Sequence, residues 1–325
     1  MYQQLISYLG SVPFFNTAAF GILSLSFIGA SWCLVGAIAG KAPKHNIKME
    51  YLLFLGGLGA MAVCALFMLL SGKIDSGTPK IALYLTLLAF FLDGLMCYVQ
   101  HTGVSRAMQN GPNGVIWALT QSAMVFPFIV GILFYGVELT AMRLAGIVFM
   151  LLSLVLFGGA KDDPETSRGP WKLITFIVLV AVAIGQTVTN LPFYYEETKG
   201  ISNSLCILVM MAGYVIPAFF QIVLDKENKF APTMKHILTS KIIWIYSALL
   251  LPVAAFFAFT IQLPGMRAMS AHGLGGMCFP LMVGSCIATF SIYSALVLKE
   301  KMKKIELIAL IFCIAGLICL CVVNK

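Results

Sequence analysis

Ten apolar stretches fill the chain almost end to end, near residues 14–40, 51–71, 81–104, 114–136, 141–160, 172–195, 202–224, 242–263, 273–297 and 305–323. A helix crossing a bilayer needs roughly 20 mostly apolar residues, so these stretches leave little chain for a soluble domain. With 60% hydrophobic and 10% charged residues, the composition lies far outside the soluble range. The expected fold class is an all-α integral membrane protein with ten transmembrane helices.

The two halves carry one short signature at matching positions. The first reads Gly103-Val104-Ser105-Arg106-Ala107-Met108 and the second Gly265-Met266-Arg267-Ala268-Met269. About one hairpin later each is followed by a Glu at a helix boundary, Glu138 and Glu300. The correspondence continues with Phe149 on Phe312 and Ser153 on Gly316. Five spans copied once is an odd number, so the copy sits upside down in the bilayer. Two inverted five-helix repeats are expected, residues 1–160 and 171–325. The cytoplasmic linker 161–170 joins them, a run of charged and turn-forming residues. An inverted repeat with a seam near the membrane midplane is the build of an alternating-access carrier.

Charge carries topology here. The net charge of +8 does not mark a nucleic-acid binder, because the basic residues are scattered over short loops. Loops after odd-numbered spans hold Lys41, Lys44, Lys48, Arg106, Lys161, Arg168, Lys172, Lys226, Lys229, Lys235, Lys241, Lys299, Lys301, Lys303 and Lys304. Lys73, Lys80, Arg143, Lys199, Arg267 and Lys325 lie on the other side. The positive-inside rule puts the larger group in the cytoplasm and both termini outside, in the cell membrane. The N-terminus lacks the basic start and cleavage site of a secretory signal, so the first span is expected to remain in the mature protein. The nine cysteines all lie within apolar spans without metal spacing and read as packing residues. No cofactor or metal is expected.

Two antiparallel sets of five spans, each closed by a hairpin (Gly114 to Gly159 and Gly275 to Val323), resemble the drug/metabolite transporter superfamily. The Gly103–Met108 signature is similar to a loop of the bacterial glucose/ribose porters. The stretch Gly21 to Ser31, the basic loop Lys41 to Lys48 and Ala295-Leu296-Val297-Leu298-Lys299-Glu300 resemble the rhamnose–proton symporters. The resemblance implies ten helices around a cavity open alternately to each side, and secondary transport without ATP. No Walker-type phosphate loop is present.

An ionisable group in a span is costly and usually faces a cavity or a partner. Asp93 lies near the middle of span three, and Gln100 and His101 follow on the same helical face. A desolvated Asp93 can take up a proton, and His101 can gate proton movement. These two are the expected proton-coupling residues; a structural carboxyl and an interfacial histidine are the alternatives. The second half matches this stripe only with neutral Gln262. A sugar site wants amides for hydroxyls and an aromatic surface for the ring. Asn113, Trp117 and Gln121 on span four, Gln186, Thr189, Asn190 and Tyr194 on span six, and Ser285 on span nine offer that mixture, with Gln100 and Gln262. Arg106 and Arg267, at equivalent repeat positions, are candidate gate residues or snorkelling interface residues.

The expected function is proton-coupled uptake of a monosaccharide. Its partners are a sugar-like small molecule, a proton or Na⁺, and the lipid bilayer. An exporter of amino acids or other small metabolites on the same fold is the alternative. An enzyme is not expected, since Asp93 and His101 stand about 12 Å apart along an ideal helix.

Overall fold

The computed structural model describes residues 13–71, 77–159, 169–198, 200–225, 229–300 and 303–321. Most of the linker 161–170 and both chain ends lie outside the described residues. The described chain is all-helical: α1 Ala18–Ser31, α2 Cys33–Lys41, α3 Met49–Ser71, α4 Lys80–Met108, α5 Asn113–Gln121, α6 Val125–Phe134, α7 Ala141–Gly159, α8 Trp171–Asn190, α9 Asn203–Val223, α10 Phe230–Thr239, α11 Lys241–Leu250, α12 Pro252–Phe257, α13 Leu263–Ala271, α14 Cys278–Leu296 and α15 Lys304–Cys321. Eight helical runs are long and apolar enough to span a bilayer: Ala18–His45, Met49–Leu70, Lys80–Met108, Asn113–Phe134, Trp171–Asn190, Asn203–Val223, Lys241–Ala271 and Cys278–Leu296. The chain is a multi-pass membrane protein. The further apolar helices α7 and α15 lie along each other, with the Phe149 and Phe312 rings in contact at 5.5 Å.

Several runs change direction at identifiable residues. At Trp32 the backbone N–H is shared between the Ile28 and Gly29 carbonyls, which joins α1 to α2. Pro252 lacks the N–H needed to continue α11, and the bond from Leu251 N–H to the Ser247 carbonyl is stretched to 3.4 Å. A π-turn follows over Ala258–Gln262. Pro217 is carried inside α9. Pro192 lies beyond the end of α8, in the 3₁₀ turn Leu191–Tyr194. Span six is therefore shorter than the apolar pattern suggests, and Tyr194 sits outside it.

Small residues set the helix crossings. A Cβ on Gly94 would stand 2.0 Å from the Met210 carbonyl oxygen, and one on Gly213 would stand 2.5 Å from that of Phe91. The α4 and α9 backbones therefore touch. Gly29 meets Met282 in the same way, joining α1 to α14. Close approach of this kind is what gives helix pairs their packing energy in lipid, where hydrophobicity supplies little. Contacts at the ends of the bundle sort the loops. The segments 42–48, 109–112, 224–225 and 297–300 gather at one end: Lys48 pairs with Asp225 at 2.8 Å, and Glu300 reaches Asn113 and Gly114. This is termed the basic end. Tyr135 stacks on Tyr194 at the other end, with ring centroids 4.2 Å apart.

Candidate functional site

A cavity of about 380 Å³ lies between α1–α2, α4, α5, α8, α9, α11–α13 and α14. Eight residues expected from the sequence line it: Asp93, Gln100, His101, Trp117, Gln121, Gln186, Thr189 and Gln262. They come from four different spans, and one face of α4 delivers three of them by helical spacing. Trp32, Phe90, Phe279 and Tyr214 add aromatic surface, and Ala254, Ala255 and Ala258 form a smooth wall along the broken helix. Among the described residues, no Lys or Arg lines the cavity.

Asp93 is 7% exposed and anchors a chain of polar contacts. The Cys97 thiol, one turn on, donates to Asp93 Oδ1 at 3.6 Å. The Thr189 hydroxyl on α8 also hydrogen-bonds the carboxyl. That contact exists because Gly185 lets α8 approach: a Cβ there would stand 2.6 Å from Asp93 Oδ1. Tyr214 on α9 hydrogen-bonds Cys97, and its ring meets the His101 ring edge-on at 5.5 Å. His101 Nδ1 lies 2.7 Å from the Cys97 carbonyl, so that nitrogen carries the proton and donates when the imidazole is neutral. Asp93, Cys97, Tyr214 and His101 thus form one connected polar strip along the cavity wall.

The other expected residues lie elsewhere. The side-chain amide of Asn113 donates to Glu300 Oε1 at 2.7 Å, holding it at the end of α5. The Asn190 amide turns back to the Gln186 carbonyl at 2.6 Å. Tyr194 is spent on the stack with Tyr135, and Ser285 does not line the cavity. Arg106 pairs with Glu50 at 3.1 Å and borders a separate hollow of about 420 Å³ at the basic end, with Lys48 and Asp225. Arg267 is exposed on α13.

Sequence reasoning missed Trp32, Cys97, Tyr214 and Phe279. Cys97 had a legible signal, since it lies four residues from Asp93 on the same face. Reading every cysteine as packing material hid it. Trp117 joins the cavity to the core: its indole N–H points to Cys286 Sγ at 3.2 Å, and its ring packs on Phe290 at 5.2 Å.

No protein-family model and no curated protein matches this chain. A solved structure described as "Crystal structure of protein" is similar to it over 93% of this chain and 95% of its own, with a TM-score of 0.54 and 13% identity. At that identity the likeness concerns the fold alone.

Proposed function

We propose that this chain is a secondary active transporter that takes up a monosaccharide together with a proton by alternating access. The observation that carries the reading is the cavity: a buried carboxyl beside four glutamines and two tryptophans, enclosed by helices from both halves. Its volume lies within the roughly 300–1,000 Å³ typical of small-molecule sites. The amides suit hydroxyl groups and the indoles suit a ring face. A second reading, export of amino acids, is disfavoured by the lining, whose described residues include no Lys or Arg to meet a substrate carboxylate.

The ten-helix arrangement as two inverted repeats belongs to this proposal, and the helix pairing supports it. Exchanging the halves turns α4·α8 into α13·α1, α4·α9 into α11·α3, and α14·α1 into α5·α8. It leaves α3·α9, α5·α14 and α7·α15 unchanged, and all of these pairs are packed. On the same reading the basic end faces the cytoplasm, both termini lie outside, and the chain resides in the cell membrane.

The Thr189 hydroxyl already donates to the Gly185 carbonyl at 2.9 Å. A protonated Asp93 can then donate to the Thr189 oxygen, while the ionised form must compete for that single hydrogen. Binding of a neutral sugar beside Asp93 excludes water and favours the protonated state. This links cargo to proton.

The test is uptake by proteoliposomes of a panel of labelled monosaccharides, with and without an inward proton gradient. One or more sugars should accumulate only with the gradient, and Asp93→Asn should abolish accumulation while leaving sugar binding measurable. Gradient-driven accumulation that persists in Asp93→Asn removes Asp93 from the mechanism. Stabilisation by amino acids and by no sugar overturns the cargo.

A further inference from the structure

The two halves can be compared position by position at their ends, and the comparison is one-sided. Gly111, Gly114 and Glu138 each have a counterpart 162 residues later: Gly273, Gly276 and Glu300. At the basic end Glu300 is fully engaged. One carboxylate oxygen accepts from Asn113 N–H at 3.0 Å and from its side-chain amide at 2.7 Å. The other accepts from Gly114 N–H at 3.1 Å and from the Ser294 hydroxyl at 2.6 Å. The acceptor belongs to the loop after α14, and the amides open α5, which carries Trp117 and Gln121. Glu300 thereby ties one half's cavity helix to the other half. The equivalent bond would run from Glu138 to the amides of Gly275 and Gly276 at the head of α14. It is not made: Glu138 is exposed, and among the described residues its carboxylate has no partner. Its backbone carbonyl, by contrast, accepts from Arg143 at 2.6 Å.

Two further contacts divide the same way. Arg106 is paired with Glu50 at the basic end, whereas its counterpart Arg267 is exposed and has no ion pair among the described residues. At the basic end α2 packs on α4 and α5, and the Ser105 hydroxyl donates to the Ala39 carbonyl at 2.9 Å. Among the described residues, no comparable packing joins α8, the counterpart of the α1–α2 span, to α13 or α14 at the opposite end. Phe279, near the head of α14, borders the cavity instead.

We infer that Glu300 and Glu138 are reciprocal latches, each closing one end of the cavity by capping the first amides of the other half's inner helix, and that this structure is latched at the basic end and unlatched at the opposite one. An anionic side chain at a helix N-terminus meets both the unpaired N–H groups and the positive end of the helix dipole. Such charge-assisted bonds are strong enough to hold a closed state and cheap enough to exchange for water when the end opens. The exchange keeps the two states close in free energy, which a carrier cycling between them requires. The inference deepens the alternating-access reading above and rests on it.

Cys97 is the one cysteine among the described residues that lines the cavity, so it can report which end is open. The experiment treats intact cells and sealed inside-out vesicles containing the full chain with a membrane-impermeant methanethiosulfonate, and Cys97 modification is quantified by mass spectrometry. The unmodified chain should react mainly from the outside. Glu300→Gln should move the outside-to-inside ratio toward the inside on the order of tenfold, the worth of about one charge-assisted bond. Ser294→Ala, a milder change that removes one donor, should move it the same way by less. Adding Glu138→Gln to Glu300→Gln should move the ratio back, because the opposing latch is then also lost. No movement in either single variant, or a double variant that moves further inward, overturns the latches. The labelling needs no sugar: latches that behave as expected in a chain that accumulates no monosaccharide would leave this inference standing and sink the cargo.

Discussion

The contact between Gly94 and Met210 makes the sharpest test of the cavity wall. In Gly94→Ala the added methyl would start 2.0 Å from the Met210 carbonyl oxygen, 2.9 Å from Gly213 Cα and 3.0 Å from the Met210 carbonyl carbon. Ordinary van der Waals contact begins near 3.4 Å, so α4 and α9 must separate by more than an ångström. All three obstructing atoms are backbone and cannot swing aside. The cost therefore falls at the upper end of the overpacking range, about 3 kcal/mol. The gain of alanine over glycine in helix propensity offsets about 1 kcal/mol, leaving a net loss of about 2 kcal/mol. Gly284→Ala on α14 is the matched control: its nearest obstruction is the Leu317 side chain at 3.6 Å, so the propensity gain stands alone. Thermal unfolding of the purified chain in detergent should show a midpoint lowered by several degrees for Gly94→Ala and unchanged or raised for Gly284→Ala. The separation also carries Tyr214 away from Cys97 and His101, so transport should fall with stability. A Gly94→Ala chain as stable as its parent would mean that α4 and α9 do not touch, and the wall built on their contact would go with it.

Gly185→Ala drives a methyl against the Asp93 carboxylate; it should impair proton-driven accumulation more than it lowers the unfolding midpoint, as paired transport and melting measurements would reveal. Trp117→Ala removes a core ring as well as a cavity wall and should cost about 3–5 kcal/mol; Trp117→Phe should keep most of the stability while weakening sugar affinity in binding titrations. Breaking the Lys48–Asp225 pair with Lys48→Met should cost less than about 1 kcal/mol in the same melts, because that lysine is 41% exposed and water screens the pair.

The membrane class was legible because the bilayer imposes one length and one polarity on every span. The α4 stripe was legible because helical spacing put Asp93, Gln100 and His101 on one face before any fold was known. What stayed hidden depends on distances across the chain. Nothing local to Asn113 announces that Glu300, 187 residues on, takes its amide. Nothing local to Asn190 announces a turn back to Gln186. Short polar side chains in helices have this local option, and only the packed surroundings decide whether they use it. The break at Pro252 was visible, but the π-turn beyond it, which brings Gln262 to the cavity edge, had no sequence mark.

On the proposed two-repeat arrangement, the cavity keeps the duplication's geometry and discards its chemistry. Lining positions on α4 recur 161 residues later along the broken helix: Phe90 with Leu251, Asp93 with Ala254, Cys97 with Ala258, His101 with Gln262. On the proposed repeat the positions that face the cavity are shared, while the carboxyl, thiol and imidazole of these four pairs all belong to the first half. On the proposed mechanism this asymmetry has a use. A second carboxyl at position 254 would stand across the same low-dielectric space from Asp93, and two such charges repel strongly where water cannot screen them. One would hold its proton through the whole cycle and contribute nothing to coupling. A single carboxyl facing a neutral alanine wall can load and release on each pass. Ala254→Asp should therefore leave the fold intact and uncouple sugar movement from the proton gradient, a result that proteoliposome uptake measured with and without the gradient would decide. Unchanged coupling in that variant would show that position 254 does not face Asp93 across the cavity.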